Sequence, residues 1–140
     1  MRRGFSILEL SYVLAVMGIV VALTVPAYDV FLKRARVDEA RTMLAAIAHA
    51  ELRHFRDRGS YLACAAAGPV PQGPVQFPTA PCWKELGVEV GGEVRFRYSV
   101  ELADGTFVAV AEGDLDADGQ ASSFRWNGRL SSLAIERELE

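Results

Sequence analysis

The stretch that decides the fold reads LSYVLAVMGIVVALTVPAY and runs from Leu10 to Tyr28. These 19 residues contain no charged side chain. Because a helix rises about 1.5 Å per residue, the stretch nearly matches the hydrocarbon core of a bilayer, about 30 Å. A soluble protein would need a much larger core to bury a helix that is apolar on every side. The sequence therefore predicts one transmembrane span.

The length and charged fraction of the whole chain are those of one ordinary domain. The chain has 140 residues, of which 51% are hydrophobic and 24% are charged, and its mean hydropathy is +0.14. A net charge of -3 argues against a strongly basic nucleic-acid-binding protein, so no nucleic-acid partner is evident. Two cysteines are too few for a disulfide scaffold or a four-cysteine zinc site.

Two features near the N-terminus bear on whether this helix is a signal peptide and on the role of its carboxylate. Arg2 and Arg3 precede it as in a signal peptide, but the apolar run is longer than a signal core and no small-x-small cleavage site follows Val25 cleanly. Glu9 lies inside the apolar stretch, where a carboxylate is costly. Glu9 is either a functional group within the membrane or a residue at headgroup level, and both interpretations are open on the residues alone.

Residues 4–10, GFSILEL, follow a short basic leader. This string resembles the processing site of the type IV pilin and pseudopilin family, in which glycine and phenylalanine are followed by a glutamate four residues later. The resemblance continues through positions of the apolar helix and the segment after it: Gly18, Pro26, Tyr28, Arg34, Glu39 and Ala40. It covers roughly the first 60 residues, on pattern alone.

The resemblance implies a defined processing route. A prepilin peptidase would remove the leader, residues 1–4, by cutting between Gly4 and Phe5, and would N-methylate the new amine of Phe5. Glu9 would then neutralise the Phe5 amine of a neighbouring subunit in a filament. A buried carboxylate is tolerated when it is paired.

The resemblance also implies partners and a location. The expected partners are further copies in a helical homopolymer or co-pilins, the prepilin peptidase, the inner-membrane assembly platform, and membrane lipid before assembly. The protein is then expected in the inner membrane before assembly and in an extracellular pilus filament afterwards. Its head domain would be periplasmic or extracellular.

A single long helix is predicted over residues 5–58, with residues 5–28 as the transmembrane segment and filament core. From residue 27 to Arg58 there is no glycine or proline, and apolar residues recur at helical spacing: Val37, Ala40, Leu44, Ile47, Ala48, Leu52 and Phe55. Pro26 is expected to kink or locally unwind this helix. His49 and His54 are expected at its surface or rim and not as metal ligands.

Residues 59–93 contain five prolines and are predicted to form an irregular loop. Cys64 and Cys82 lie within this loop. If the domain is exported, an oxidising compartment favours a disulfide between them. The alternative is a pair of reduced, buried thiols.

Residues 94–140 are predicted to form the antiparallel sheet of the head. Period-two alternation and hairpin signals define the pieces: Val94–Leu102, the turn Asp104-Gly105, Thr106–Ala111, Ser122–Trp126, the turn Asn127-Gly128, and a fourth strand from Arg129. The predicted fold class is therefore α+β, a long N-terminal helix packed on a small antiparallel sheet, as expected of a type IV pilin.

Three aspartates between the second and third predicted strands form the one candidate cofactor site. Asp114, Asp116 and Asp118, followed by Gly119, match the first half of a calcium loop. The twelfth position is Arg125, where that loop needs a glutamate. Because aspartate and glycine are also common turn formers, a plain turn is preferred and calcium is the alternative.

These patterns favour a structural subunit of a type IV pilus. A type II secretion pseudopilin shares every feature used here, and a single-span membrane-anchored binding module is the alternative from another class. An enzyme is not expected, because the sequence lacks the HExxH, GxSxG, phosphate-loop and dinucleotide-binding motifs.

Overall fold

The computed structural model describes residues 6–114, 119–130 and 132–137. It confirms the predicted α+β fold. The elements follow in chain order: helix α1, Ile7–Arg58; strand β1, Val75–Gln76; helix α2, Pro81–Leu86; and strands β2, Glu93–Val94, β3, Arg97–Ala103, β4, Thr106–Gly113, β5, Ser122–Asn127, and β6, Ser132–Arg137. The chain divides after Ala35 into two units.

The N-terminal unit consists of the first part of α1. Its backbone is helical from Ile7 onwards and remains helical through position 26. Two hydroxyls inside the apolar segment bond within the helix: Ser11 Oγ donates to the Ile7 carbonyl at 2.9 Å, and Thr24 Oγ1 donates to the Val20 carbonyl at 2.7 Å. Both side chains are thereby satisfied without water, as an apolar environment requires.

In the C-terminal unit, residues 36–58 of α1 bury one face. Val37, Ala40, Leu44, Ile47 and Ala48 are buried at the predicted spacing. The helix stops after Arg58, where Gly59 adopts a left-handed φ of 75° and donates its N–H to the Phe55 carbonyl at 2.8 Å. Glycine suits this position because it carries no Cβ.

The last two turns of the buried face differ from the prediction. Leu52 and Phe55 are 40% and 44% exposed, while Glu51 and His54 occupy the buried positions. The prediction that His54 lies at the surface or rim is therefore wrong, whereas His49 is exposed as predicted. The buried positions still recur at helical spacing. They are occupied by Glu51 and His54, whereas the hydrophobic pattern predicts Leu52 and Phe55 there.

The main sheet is antiparallel with the strand order β3-β4-β5-β6. The turn Asp104-Gly105 is confirmed as a two-residue hairpin, since Ala103 pairs with Thr106 and both turn residues have positive φ. Inward side chains of the sheet and the buried face of α1 form one core, which includes Leu44, Ile47, Phe96, Tyr98, Phe107 and Phe124.

Two strand boundaries differ from the sequence prediction. The predicted strand Val94–Leu102 is interrupted between β2 and β3, because the Arg95 N–H donates to Glu39 Oε1 of α1 at 2.8 Å. The fourth strand begins at Ser132 and not at Arg129. Asn127 Oδ1 accepts the N–H groups of Arg129 and Leu130, and this extends the connection beyond a two-residue turn.

The proline-rich segment is more regular than predicted. It contains the helix α2 and the strand β1, which pairs with β2 in a separate two-stranded sheet. Pro81 stands in the first turn of α2, where its missing N–H has no intrahelical partner to lose. Trp83 and Leu86 of α2 are buried in the core. The prolines therefore delimit short elements instead of excluding them.

Candidate functional site

The candidate functional site is the apolar surface of α1 between Ile7 and Val25. Every side chain in this segment is exposed, and among the described residues it is the one helical segment long and apolar enough to cross a membrane. An uninterrupted apolar surface of this length is unusual on a soluble monomer, since such patches mark membrane or protein contacts. The segment therefore needs lipid or other apolar surfaces around it.

Glu9 is the charged residue of this apolar segment. It lies in the first turn of α1 and is exposed, and its side chain makes no hydrogen bond or ion pair with any residue that the structure describes. An acidic side chain in the first turn is favoured by the helix dipole. Its carboxylate is thus free to meet a cation supplied from outside the described chain.

The other predicted residues of the N-terminal site are only partly described. Gly4 and Phe5, the predicted processing and assembly residues, lie outside the described residues. Position 26 has helical backbone, and a kink at Pro26 stays a prediction.

The predicted disulfide between Cys64 and Cys82 is present, with 5.7 Å between the two Cα atoms. It links the segment after α1 to α2. Cys64 also bridges to β3, where its N–H donates to the Val100 carbonyl at 3.0 Å and its carbonyl accepts from the Val100 N–H at 2.7 Å. The disulfide and this bridge together fasten the proline-rich segment to the sheet.

Of the three candidate calcium ligands, the structure describes Asp114, while Asp116 and Asp118 lie outside the described residues. Asp114 is buried. Its Oδ2 accepts hydrogen bonds from Gln72 Nε2 and from the Gly119 N–H, both at 3.1 Å, and its Oδ1 has no partner among the described residues. The described part of the chain contains no group of three or more metal-ligating side chains. Through these contacts the Asp114 side chain connects Gln72 of the proline-rich segment with Gly119.

A polar cluster at the end of α1 was not predicted. Glu51 is fully buried, and its Oε2 accepts the Leu62 N–H at 3.0 Å while its Oε1 has no partner in the described structure. Burial raises the pKa of Glu51, and the Leu62 hydrogen bond and the nearby His54 act in the opposite direction. A glutamate in an Ala- and Leu-rich helix resembles a surface residue, so only three-dimensional packing identifies it.

His54, one turn after Glu51, joins the same segment. Its Nδ1 lies 2.7 Å from the Ser60 carbonyl, which can only accept, so Nδ1 carries the proton of that bond. Its Nε2 lies 3.8 Å from Glu85 Oε1 of α2, and Glu85 also pairs with Arg58. Glu51 and His54 thus fix residues 60–62 to α1, immediately before Cys64.

These features define a class of protein: an exposed apolar helix joined to a disulfide-bonded α+β head. The chain is similar to three curated proteins of bacterial fimbriae. It is 36% identical over 60 residues to the type IV major pilin protein PilA of Myxococcus xanthus, 43% identical over 42 residues to a fimbrial protein of Moraxella nonliquefaciens, and 32% identical over 66 residues to the fimbrial protein EcpC of Eikenella corrodens.

The matched segments cover 43%, 30% and 47% of this chain, and 27%, 27% and 43% of the respective relatives. The chain therefore spans less than half the length of these relatives. No family model matches the chain. No solved structure matches it either. The three relatives confirm the resemblance to the type IV pilin family.

Proposed function

We propose that this protein is a structural subunit of a type IV pilus and not an enzyme. The observation that carries the proposal is the exposed apolar segment Ile7–Val25 with a single unpaired carboxylate at its start, Glu9. The likeness to named pilin and fimbrial proteins supports it. In the membrane lipid covers this segment, and in a filament the same segments of other copies cover it.

The proposed route starts with cleavage of the leader between Gly4 and Phe5 by a prepilin peptidase and N-methylation of Phe5. The assembly platform of the inner membrane then moves the subunit into a filament with its head outside the cell. Glu9 faces the Phe5 amine of a neighbouring copy during this step. A carboxylate without a partner is costly in an apolar environment, so pairing favours the assembled state.

Substitution at Glu9 tests the proposal. We expect Glu9→Ala to be inserted and processed normally but to reduce the protein in sheared surface filaments by at least about tenfold, because one partner of a charge pair in an apolar environment is missing. Quantitative immunoblotting of sheared and membrane fractions measures this ratio.

Ser11→Ala is the matched control, because Ser11 lies on the same helix, is exposed and bonds only to the Ile7 carbonyl. It is expected to assemble like the wild type. Normal filaments from Glu9→Ala would contradict the role of Glu9 in assembly. A wild-type protein that never leaves the membrane would contradict the pilus function itself.

A further inference from the structure

Charge is distributed unevenly along the chain after the apolar segment. Residues 33–58 contain seven lysines and arginines against four acidic residues, whereas residues 59–140 contain six against twelve. The second half of α1 is therefore basic, and the remainder of the C-terminal unit is acidic.

Three arginines of the C-terminal unit already have an acidic partner within the chain. Arg58 pairs with Glu85, Arg95 pairs with Glu39 at 3.0 Å, and Arg97 pairs with Glu112. Arg53 and Arg56 differ, because both are exposed and neither side chain forms an ion pair or hydrogen bond within residues 6–114, 119–130 and 132–137. With the exposed Leu52 they form what we call the basic helix end: Leu52, Arg53 and Arg56.

The acidic part presents a corresponding pair of carboxylates. Glu89 and Glu93 are both exposed and make no ion pair with the residues that the structure describes. They flank a turn in which the Gly92 N–H donates to the Val90 carbonyl at 3.1 Å. We call residues 89–93 the acidic loop. Its two carboxylates are four residues apart, and the two guanidinium groups are three residues apart on one helix.

We propose that the acidic loop of one copy docks on the basic helix end of a second copy of this chain. This inference rests on the proposed function, because it names the contact between neighbouring heads. Two different patches that complement each other form a heterologous contact, and repetition of such a contact produces an open helical filament unless the rotation closes a ring.

The contact determines register and choice of neighbour more than strength. Exposed ion pairs contribute little free energy, whereas opposed like charges are strongly unfavourable. The apolar segment Ile7–Val25 supplies the affinity, and the charged contact selects which relative position of the copies is allowed.

A charge-reversal cycle in the full chain tests this proposal. We expect Arg53→Glu/Arg56→Glu to reduce sheared filament protein by about tenfold, because Glu89 and Glu93 of the neighbour would then face like charges. We expect the fourfold variant, which adds Glu89→Lys and Glu93→Lys, to return at least half of the wild-type amount. Circular dichroism and thiol blocking check that each variant keeps its fold and its disulfide.

The matched control compares single reversals: Arg56→Glu is expected to reduce assembly and Arg129→Glu, exposed on the β5–β6 connection, is not. Unchanged assembly of Arg53→Glu/Arg56→Glu overturns the docking proposal alone, and reduced binding of that variant to anionic phospholipid vesicles would then assign the patch to lipid. Folded variants that are not restored by the fourfold change also overturn it. Failure of the wild type to assemble overturns both this inference and the pilus function.

Discussion

At the scale of single residues, Glu51 links the stability of the head to pH. Its carboxylate is buried, and burial raises its pKa above the ordinary value of 4.5. The folded state therefore holds the proton more tightly than the unfolded state. The stability from the protonated form is present at low pH and is lost as the pH rises through the raised pKa.

We expect Glu51→Gln to remove this dependence, because an uncharged amide can still accept the Leu62 N–H. Relative to wild type, the variant should gain stability as the pH rises above 4.5, and the difference should shrink towards lower pH. Urea unfolding of both proteins over a pH series measures it. Glu101→Gln, at an exposed position, is the control, and identical pH profiles for wild type and Glu51→Gln would contradict the account.

Asp114 gives a second prediction at this scale. Removing its side chain in Asp114→Ala leaves Gln72 and the Gly119 N–H without their acceptor, at a cost of about 1–3 kcal/mol. We expect the variant to lose this much stability, measured as a lower Tm in the presence of a chelator. The Tm of the wild type should not change when calcium is added. A calcium-dependent rise in Tm that Asp114→Ala abolishes would contradict the plain-turn interpretation and favour the cation loop.

At the scale of elements, the disulfide stabilises the proline-rich segment. Cys64 and Cys82 are 18 residues apart, and closing a loop of this size contributes about 3 kcal/mol in the chain-entropy model. We expect the double variant Cys64→Ser/Cys82→Ser to lose about this much free energy of unfolding. Urea unfolding of the oxidised wild type and the variant tests it, and equal stabilities, or two free thiols in surface material, would contradict it.

The periodic elements and the end of α1 at Arg58 could be predicted from the sequence, and several strand boundaries could not. Alternation predicted the sheet, and the Asp104-Gly105 turn was correct to the residue. The break before β3 depends on Glu39, which is 56 residues from Arg95 in sequence and adjacent to it in the fold. Glu51 and His54 were missed for the same reason, since their partners at Ser60 and Leu62 become visible only when the chain turns back after Gly59.

At the scale of the whole molecule, the two units differ in whether their apolar side chains are buried. The C-terminal unit has its own core, formed by residues 36–58 of α1, by α2 and by the sheet, whereas the side chains of Ile7–Val25 are exposed. Since no part of the head needs that segment for its own core, we propose that the segment serves anchoring and assembly. This division could be predicted from composition alone, because the apolar excess lies in one continuous run.

The measurement that tests the central claim most directly is the intact mass of this protein in material sheared from the cell surface. We predict a mass that lacks Met1–Gly4, carries one added methyl group on Phe5, and is lower by two hydrogens for the Cys64–Cys82 disulfide. Protein found only in the membrane fraction, at the mass of the unprocessed chain, would contradict the account and favour a membrane-anchored binding module.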